Sequence, residues 1–269
     1  MGTIAQWLRA AAGDPPRRGT ALRYAGAIAV VQVGWILRLQ LPDSLGLASF
    51  LVLVLLEVAI PAWAERGSTT TYHPHHIAER YGLFTVIVLG EAVTAAALAV
   101  KAGIDQTDNP TPLIVLAVMG VIILFALWWL YFDQESDGTG LEKQSRALFW
   151  GYGHYFVFAG AAAVGAGLTT GVAYDLQHLA AESGAAQGAA HMSSMVAAGA
   201  VTVPIAVYLL AMTVLRLGAL QHPKVRIIVP VAAAAVLASP FSSAPIHLSA
   251  AILTATVAVE ILLTRSRSH

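Results

Sequence analysis

The chain has no cysteine among its 269 residues, and only 11% of them are charged. The first absence excludes a disulfide scaffold, thiolate metal sites and thiol catalysis. The second is more informative, because soluble globular domains carry roughly 25% Asp, Glu, Lys and Arg. With 57% hydrophobic residues and a mean hydropathy of +0.70, a soluble fold would lack the polar groups to cover its surface. Fifteen basic and fifteen acidic residues balance, so there is no basic footprint for nucleic acid. High hydrophobicity also excludes disorder. Other patterns are missing too. There is no phosphate-binding Gly-x-x-x-x-Gly-Lys-Ser/Thr loop, no Gly-x-Ser-x-Gly elbow and no haem attachment motif. No secretory signal follows the start, since Arg9, Asp14, Pro15, Pro16, Arg17 and Arg18 interrupt the first apolar run.

Long apolar runs are what the chain does have. A hydrocarbon core about 30 Å thick needs about 20 apolar residues per helix. Eight segments answer to that: 21–39, 45–63, 80–100, 111–132, 147–168, 195–217, 224–239 and 246–264. They are continuous and rich in Ala, Leu and Val rather than alternating, which argues against a β-barrel. The seventh is the weakest, being short and holding Pro230, and it pairs with the eighth through a hairpin at Ser239-Pro240-Phe241-Ser242-Ser243. The fold expectation is an all-α, polytopic transmembrane helix bundle of about eight helices. Lys and Arg fall unevenly between its two sides. Only Arg38 and Lys101 lie on one side, and the other thirteen lie on the opposite side. The positive-inside rule then places both termini in the cytoplasm. Residues 1–20 form a cytoplasmic arm, 21–264 a single transmembrane domain and 265–269 a cytoplasmic tail. The connection 169–194 has no Lys or Arg and reads as a flexible outside linker.

A charged group at mid-membrane costs roughly 2.5–3.5 kcal/mol on insertion scales, so intramembrane polar residues are the ones to explain. Glu57 lies late in the second span, four residues before Pro61. Glu91 lies near the middle of the third, and His154 about a third of the way into the fifth. Glu260 and Arg38 lie near span ends, where a side chain can snorkel to the interface. Arg80 and Glu91 are eleven residues apart, which at about 100° per residue puts them within ~20° of one helix face. Thr94 continues that stripe. A polar track for protons or cations is one reading of it, with Glu91 as relay or ion ligand. A buried glutamate bonded to a neighbouring helix is the other.

Two further groups carry weaker signals. His75 and Glu79 are four apart and His76 and Glu79 three apart, so one helix face offers metal-ligand types. A solvated interfacial cap explains the same residues. Trp128-Trp129-Leu130-Tyr131-Phe132-Asp133 reads as an aromatic belt, with Asp133 facing a vestibule or joining a solvated acidic loop through Glu135, Asp137 and Glu142. Gly160, Ala161, Gly165 and Gly167 narrow the fifth helix for close packing.

The segment His73-Pro74-His75-His76-Ile77-Ala78-Glu79-Arg80-Tyr81-Gly82-Leu83-Phe84-Thr85-Val86-Ile87-Val88-Leu89-Gly90-Glu91 closely resembles the signature of the bacterial low temperature requirement A (LtrA) family. Trp128–Asp133 and Gly151-Tyr152-Gly153-His154 support the resemblance at later positions, and it extends over Arg23–Leu168. It implies a polytopic protein of the bacterial inner membrane, linked by its name to growth in the cold. It supplies no catalytic residues. The motif positions that transfer are His76, Glu79, Arg80, Gly90, Glu91, Asp133 and His154. Family members usually open with a segment carrying a Glu-Leu-Phe-Phe-Asp-like motif, which does not occur here. The chain therefore reads as a version lacking the N-terminal part of the family pattern, with Met1–Arg18 as the tail of an earlier helix.

Three functions follow as expectations. The leading one is a small-solute or ion (proton-coupled) transporter or channel-like protein, with Glu91 as central acid, Arg80 at the cytoplasmic mouth, and Glu57 and His154 as relay groups. An integral-membrane enzyme acting on lipid through His73, His75, His76 and Glu79 is the second, and a scaffold without turnover the third. An enzyme is the less favoured class, and no cofactor is expected. The bilayer, a small solute or ion, and either a second copy or missing N-terminal helices are the expected partners.

Overall fold

The computed structural model describes residues 2–68, 70, 73–133, 144–182, 192–216 and 225–265. All regular structure among them is helical. They form two compact units, 1–73 and 74–269, within the stretch that the sequence treats as one domain.

In the N-terminal unit, α1 (Gly2–Gly13) leads through a 3-10 turn at Pro15–Arg17 into α2 (Arg18–Arg38), and α3 (Gly46–Ala64) follows a second turn. The two prolines at 15 and 16 suit the start of a turn, where no helical N–H is needed. Asp14 receives the Arg17 guanidinium at 2.9 Å. Trp7 of α1 stacks on Tyr24 of α2, with centroids 4.1 Å apart and planes within 3°. Residues 2–13 are therefore a helix packed back on α2. Tyr24 also donates to Glu65 Oε1 at 2.8 Å, and the Thr20 hydroxyl donates to the Ser68 carbonyl at 2.9 Å. These bonds fasten the start of α2 to the end of α3.

The C-terminal unit comprises α4 (Pro74–Ile104), α5 (Thr111–Phe132), α6 (Gln144–Glu182), α7 (Ser194–Arg216), α8 (Val225–Ala238) and α9 (Pro245–Arg265). Its centre is α6, packed chiefly against α7 and α4. The small residues on α6 allow this. A Cβ at Gly165 would stand 2.7 Å from the Ala92 Cα of α4. One at Gly167 would collide with the Ala200 carbonyl of α7, and one at Gly160 would press on the Pro204 carbonyl and Tyr208 at 3.1 Å. Gly160 and Gly167 are seven residues apart and so share a face. Backbones meet closely there, as membrane helices without large side chains do. Ile123, Leu127, Val157, Val201, Ile205 and Leu253 fill the core around them.

Among the described residues seven helices are long and apolar enough to cross a membrane, and α8 with its following turn is a shorter apolar helix. At 1.5 Å per residue the 14 residues of α8 rise only ~21 Å. The eight expected segments are all present as helices, and the weak one is the short one. The hairpin forms where expected, through a 3-10 turn at Ser239–Phe241. The chain is thus an all-α, multi-pass membrane protein.

The linker expected over 169–194 is corrected over 169–182, and 183–191 lie outside the described residues. Helix α6 continues to Glu182. Thr169 and Thr170 bond back to the Ala166 carbonyl at 2.7 and 3.0 Å, and Gly171 and Val172 are buried, Gly171 beside Leu116 of α5. Tyr174 stacks on His178, which lies 3.5 Å from Glu182 one turn later. Tertiary packing and these pairs hold helical a stretch whose composition alone reads as a spacer. Glu135, Asp137, Glu142, His191 and the tail 266–269 lie outside the described residues.

Candidate functional site

The three segments that carried the resemblance meet in one place. His154 of α6 is 2% exposed, and its Nδ1 lies 2.8 Å from the Trp150 carbonyl. A carbonyl only accepts, so Nδ1 carries the hydrogen, and Nε2 of the neutral ring accepts from the Tyr131 hydroxyl of α5 at 3.1 Å. From α4, Tyr81 sets its ring against Trp150 and His154, each with centroids 4.9 Å away. Buried Thr85, one turn on, donates to the Tyr81 carbonyl at 2.9 Å. The glycines of Gly151-Tyr152-Gly153-His154 have a physical reason. A Cβ at Gly151 would sit 2.9 Å from the Tyr81 hydroxyl, and one at Gly153 would strike Leu215 of α7. Each glycine admits a neighbouring side chain from a different helix.

Directly beside this cluster, Arg216 ends α7. Its Nη2 donates to the Tyr131 carbonyl at 2.8 Å and also to the Leu130 carbonyl. Those carbonyls belong to the last turn of α5. Arg216 also interacts electrostatically with Glu260 of α9 and with Asp133, the residue that closes α5. Glu260 is fully buried, while Asp133 is exposed. One partly buried guanidinium therefore joins the end of α7 to the end of α5.

Helix α9 carries more polar groups on the same inward side. Ser249, Thr256 and Glu260 are all buried. Their spacings of seven and four residues keep them within about 40° of one face. Thr256 donates to the Ile252 carbonyl and Ser249 to the Pro245 carbonyl, both at 2.8 Å. The Ser249 and Ser239 hydroxyls are 2.9 Å apart. On α7, the fully buried Thr202 hydroxyl has no hydrogen-bond partner among the described residues.

The other expected residues lie elsewhere. Arg80, Glu91 and Thr94 share one continuous helix, and all three are exposed on α4. Thr94 bonds only to the Gly90 carbonyl of its own helix, at 3.0 Å. Glu57 belongs to the N-terminal unit, where it is exposed and accepts from the Trp35 indole at 3.0 Å. His75 and His76 each approach a different oxygen of Glu79, at 3.2 and 2.9 Å, and all three are exposed. Among the described residues no group of three or more His, Asp or Glu is arranged to hold a metal ion.

Four residues of the buried cluster were not singled out by sequence. Tyr81 and Tyr131 sit within the quoted motifs, but their types read as packing. Arg216 reads as a loop positive charge. Glu260 reads as a side chain free to snorkel, and the structure corrects that. The signal that points to it is the Ser249–Glu260 separation of eleven residues, the same as between Arg80 and Glu91.

The family model for the bacterial low temperature requirement A protein (LtrA) matches residues 1–263, well beyond the 23–168 over which the motifs carry the likeness. No curated protein matches the chain. No solved structure matches it either.

Proposed function

The chain belongs to the bacterial low temperature requirement A family, and from that premise we propose that this multi-pass membrane protein moves a small solute or ion across the bacterial cytoplasmic membrane by way of an intramembrane glutamate. The observation that carries the reading is Glu260, fully buried within a helix long and apolar enough to cross a membrane. Apolar side chains would fill that space without the desolvation cost of a carboxylate. Ionisable groups inside a membrane bundle mark substrate and ion routes more often than they mark packing.

In this reading Asp133 is the exposed acid at the mouth, and Arg216 ties the end of α7 to the end of α5. The Tyr131–His154 pair fixes the end of α5 against α6. Glu91 with Arg80 and Thr94 on the outer face of α4 is a second polar track, and Glu57 is the acid of the N-terminal unit. Both termini lie in the cytoplasm, as the lysine and arginine asymmetry supports.

The test is ion flux in proteoliposomes of purified protein, read with an internal pH dye and with radioactive sodium. The wild-type chain is expected to exceed protein-free vesicles, and Glu260→Gln to lower its flux by about tenfold, equivalent to losing one factor of ten in a rate. Wild-type vesicles no leakier than empty ones to either ion would defeat transport of both. Glu260→Gln and Glu91→Gln would then both be neutral for growth in the cold if the chain is a scaffold.

A further inference from the structure

We infer that the outward face of α4 around Thr94 is the surface on which a second copy of this chain docks, the two α4 helices lying side by side with Glu91 of each over Gly90 of the other. The inference does not depend on the transport reading.

The first ground is the level of Glu91. Its neighbour Ala92 lies against α6, where a Cβ on Gly165 would stand 2.7 Å from the Ala92 Cα. Three residues further along α6, Leu168 covers Gly120, the tenth of the 22 residues of α5. Glu91 therefore sits within about one turn of the middle of α5, the most apolar of the membrane-crossing helices. Its side chain is nevertheless exposed, and among the described residues it has neither a hydrogen-bond nor an ion-pair partner. Ionisable groups at that depth turn toward protein rather than lipid. The outward face of α4 thus calls for a protein cover.

The second ground is that this face is complementary to itself. Thr94 is nine residues from buried Thr85 and nine from buried Gly103, which at about 100° per residue is half a turn, so it stands at the centre of the outward face. Measured from Thr94, Arg80 and Glu91 lie about 40° and 60° to one side, and Gly90 and Glu79 about 40° and 60° to the other. All four are exposed. Copies inserted in the same sense are related by a twofold axis along the membrane normal, so their α4 helices run parallel and opposite flanks meet at equal level.

Each flank then finds what it lacks. Arg80 faces the partner's Glu79, an opposite charge at the rim. Glu79 is held by His75 and His76 of its own helix, and its carboxylate has lone pairs left for a guanidinium. At mid-membrane, Glu91 faces the partner's Gly90, where nothing lies within 4 Å of an added Cβ, so the carboxyl has room. The Thr94 hydroxyl gives its hydrogen to the Gly90 carbonyl at 3.0 Å, which leaves its oxygen free to accept. A neutral Glu91 carboxyl donates to that oxygen across the seam. Small residues at a crossing and hydrogen bonds between helices are the two devices by which membrane helices associate. A different partner would have to present the same acceptor, space and charge at the same levels, whereas a second copy supplies them by symmetry. One crossing holds the copies together at bilayer concentration. Dilution in micelles separates them, so unfolding there reports the single chain.

The absence of native cysteine makes the test direct. Single cysteines replace Ile87, Val93, Thr94 or Ala95, all exposed on α4. Ile87 shares the seam with Thr94, while Val93 and Ala95 stand about 100° to either side of it. Native membranes are oxidised with copper–phenanthroline and the products separated without reductant. Disulfide-linked dimers are expected at Ile87→Cys and Thr94→Cys, with only faint bands at Val93→Cys and Ala95→Cys. In parallel, single-molecule counting of labelled protein in liposomes reads the association constant. Glu91→Leu is expected to lower it by about tenfold and Glu91→Gln, which keeps a donor, to preserve it. Even cross-linking at all four positions would mean random collision and overturn the interface. So would the absence of a dimer at Thr94→Cys, which would leave the face to lipid or to another partner, or Glu91→Leu pairing as tightly as the wild type.

Discussion

Helix α4 and helix α9 each carry a glutamate eleven residues beyond another polar residue, on a long apolar run. Arg80 and Glu91 share a face for the same reason that Ser249 and Glu260 do. On α4 that face points outward, and its Gly90 has open space where a Cβ would go. On α9 it points inward, into a packed unit. Periodicity therefore says which residues travel together along a helix. Which side the neighbouring helices cover is decided by packing, and here α9 takes its place through contacts with α5 and α8.

The largest separation between the two faces should come from their arginines. Arg216→Ala leaves the Leu130 and Tyr131 carbonyls without their guanidinium donor. For two hydrogen bonds from a charged group, a loss of about 3–5 kcal/mol is expected in denaturant unfolding in micelles. Arg80→Ala removes an exposed side chain and should leave the midpoint where it was. Equal losses for both would erase the distinction.

Glycine gives the next contrast. Gly167→Ala must push the Ala200 carbonyl aside and should cost about 1–3 kcal/mol. Gly90→Ala meets nothing and, in a helix interior, should stabilise by about 0.5–1 kcal/mol. Opposite signs in one thermal-shift series are the expected result.

Smaller still is the Tyr131–His154 bond. Tyr131→Phe should cost about 1 kcal/mol. Nitrogen NMR of labelled histidine should find His154 in the Nδ1–H form in the wild type. The Nε2–H form there would mean that the Trp150 carbonyl is not the partner. Least of all, Glu91→Gln should leave the unfolding temperature unchanged. A clear drop would show that the α4 face is packed against something after all.

The bundle was legible because its signals are local. Runs of twenty apolar residues, the weak seventh segment with Pro230 and the Ser239–Ser243 hairpin all declare themselves within short windows. So did Gly160, Gly165 and Gly167, whose smallness is useful only at a close helix crossing. What escaped depends on residues distant in sequence. Thr169–Glu182 is helical partly because Gly171 and Val172 are packed, Gly171 against Leu116 of α5, which composition does not reveal. Glu260 lies near a span end, where snorkelling is available to an uncovered side chain. Burial by the rest of the unit withdraws that option. His154 was recognisable as a polar residue inside a span, yet its partners Tyr131 and Tyr81 come from two other helices.

The length of α6 has a mechanical consequence. Its 39 residues rise ~58 Å, about twice the hydrocarbon thickness. The glycines at 160, 165 and 167 form a waist where it is gripped by α4 and α7. From the middle of that waist, Glu182 is ~28 Å away in one direction and His154 ~14 Å in the other. The helix is thus a beam with unequal arms. Were the helix to pivot rigidly at that waist, a sideways displacement at Glu182 would arrive at His154 reversed in direction and halved in size, and the contacts at Gly151 and Gly153 would oppose it.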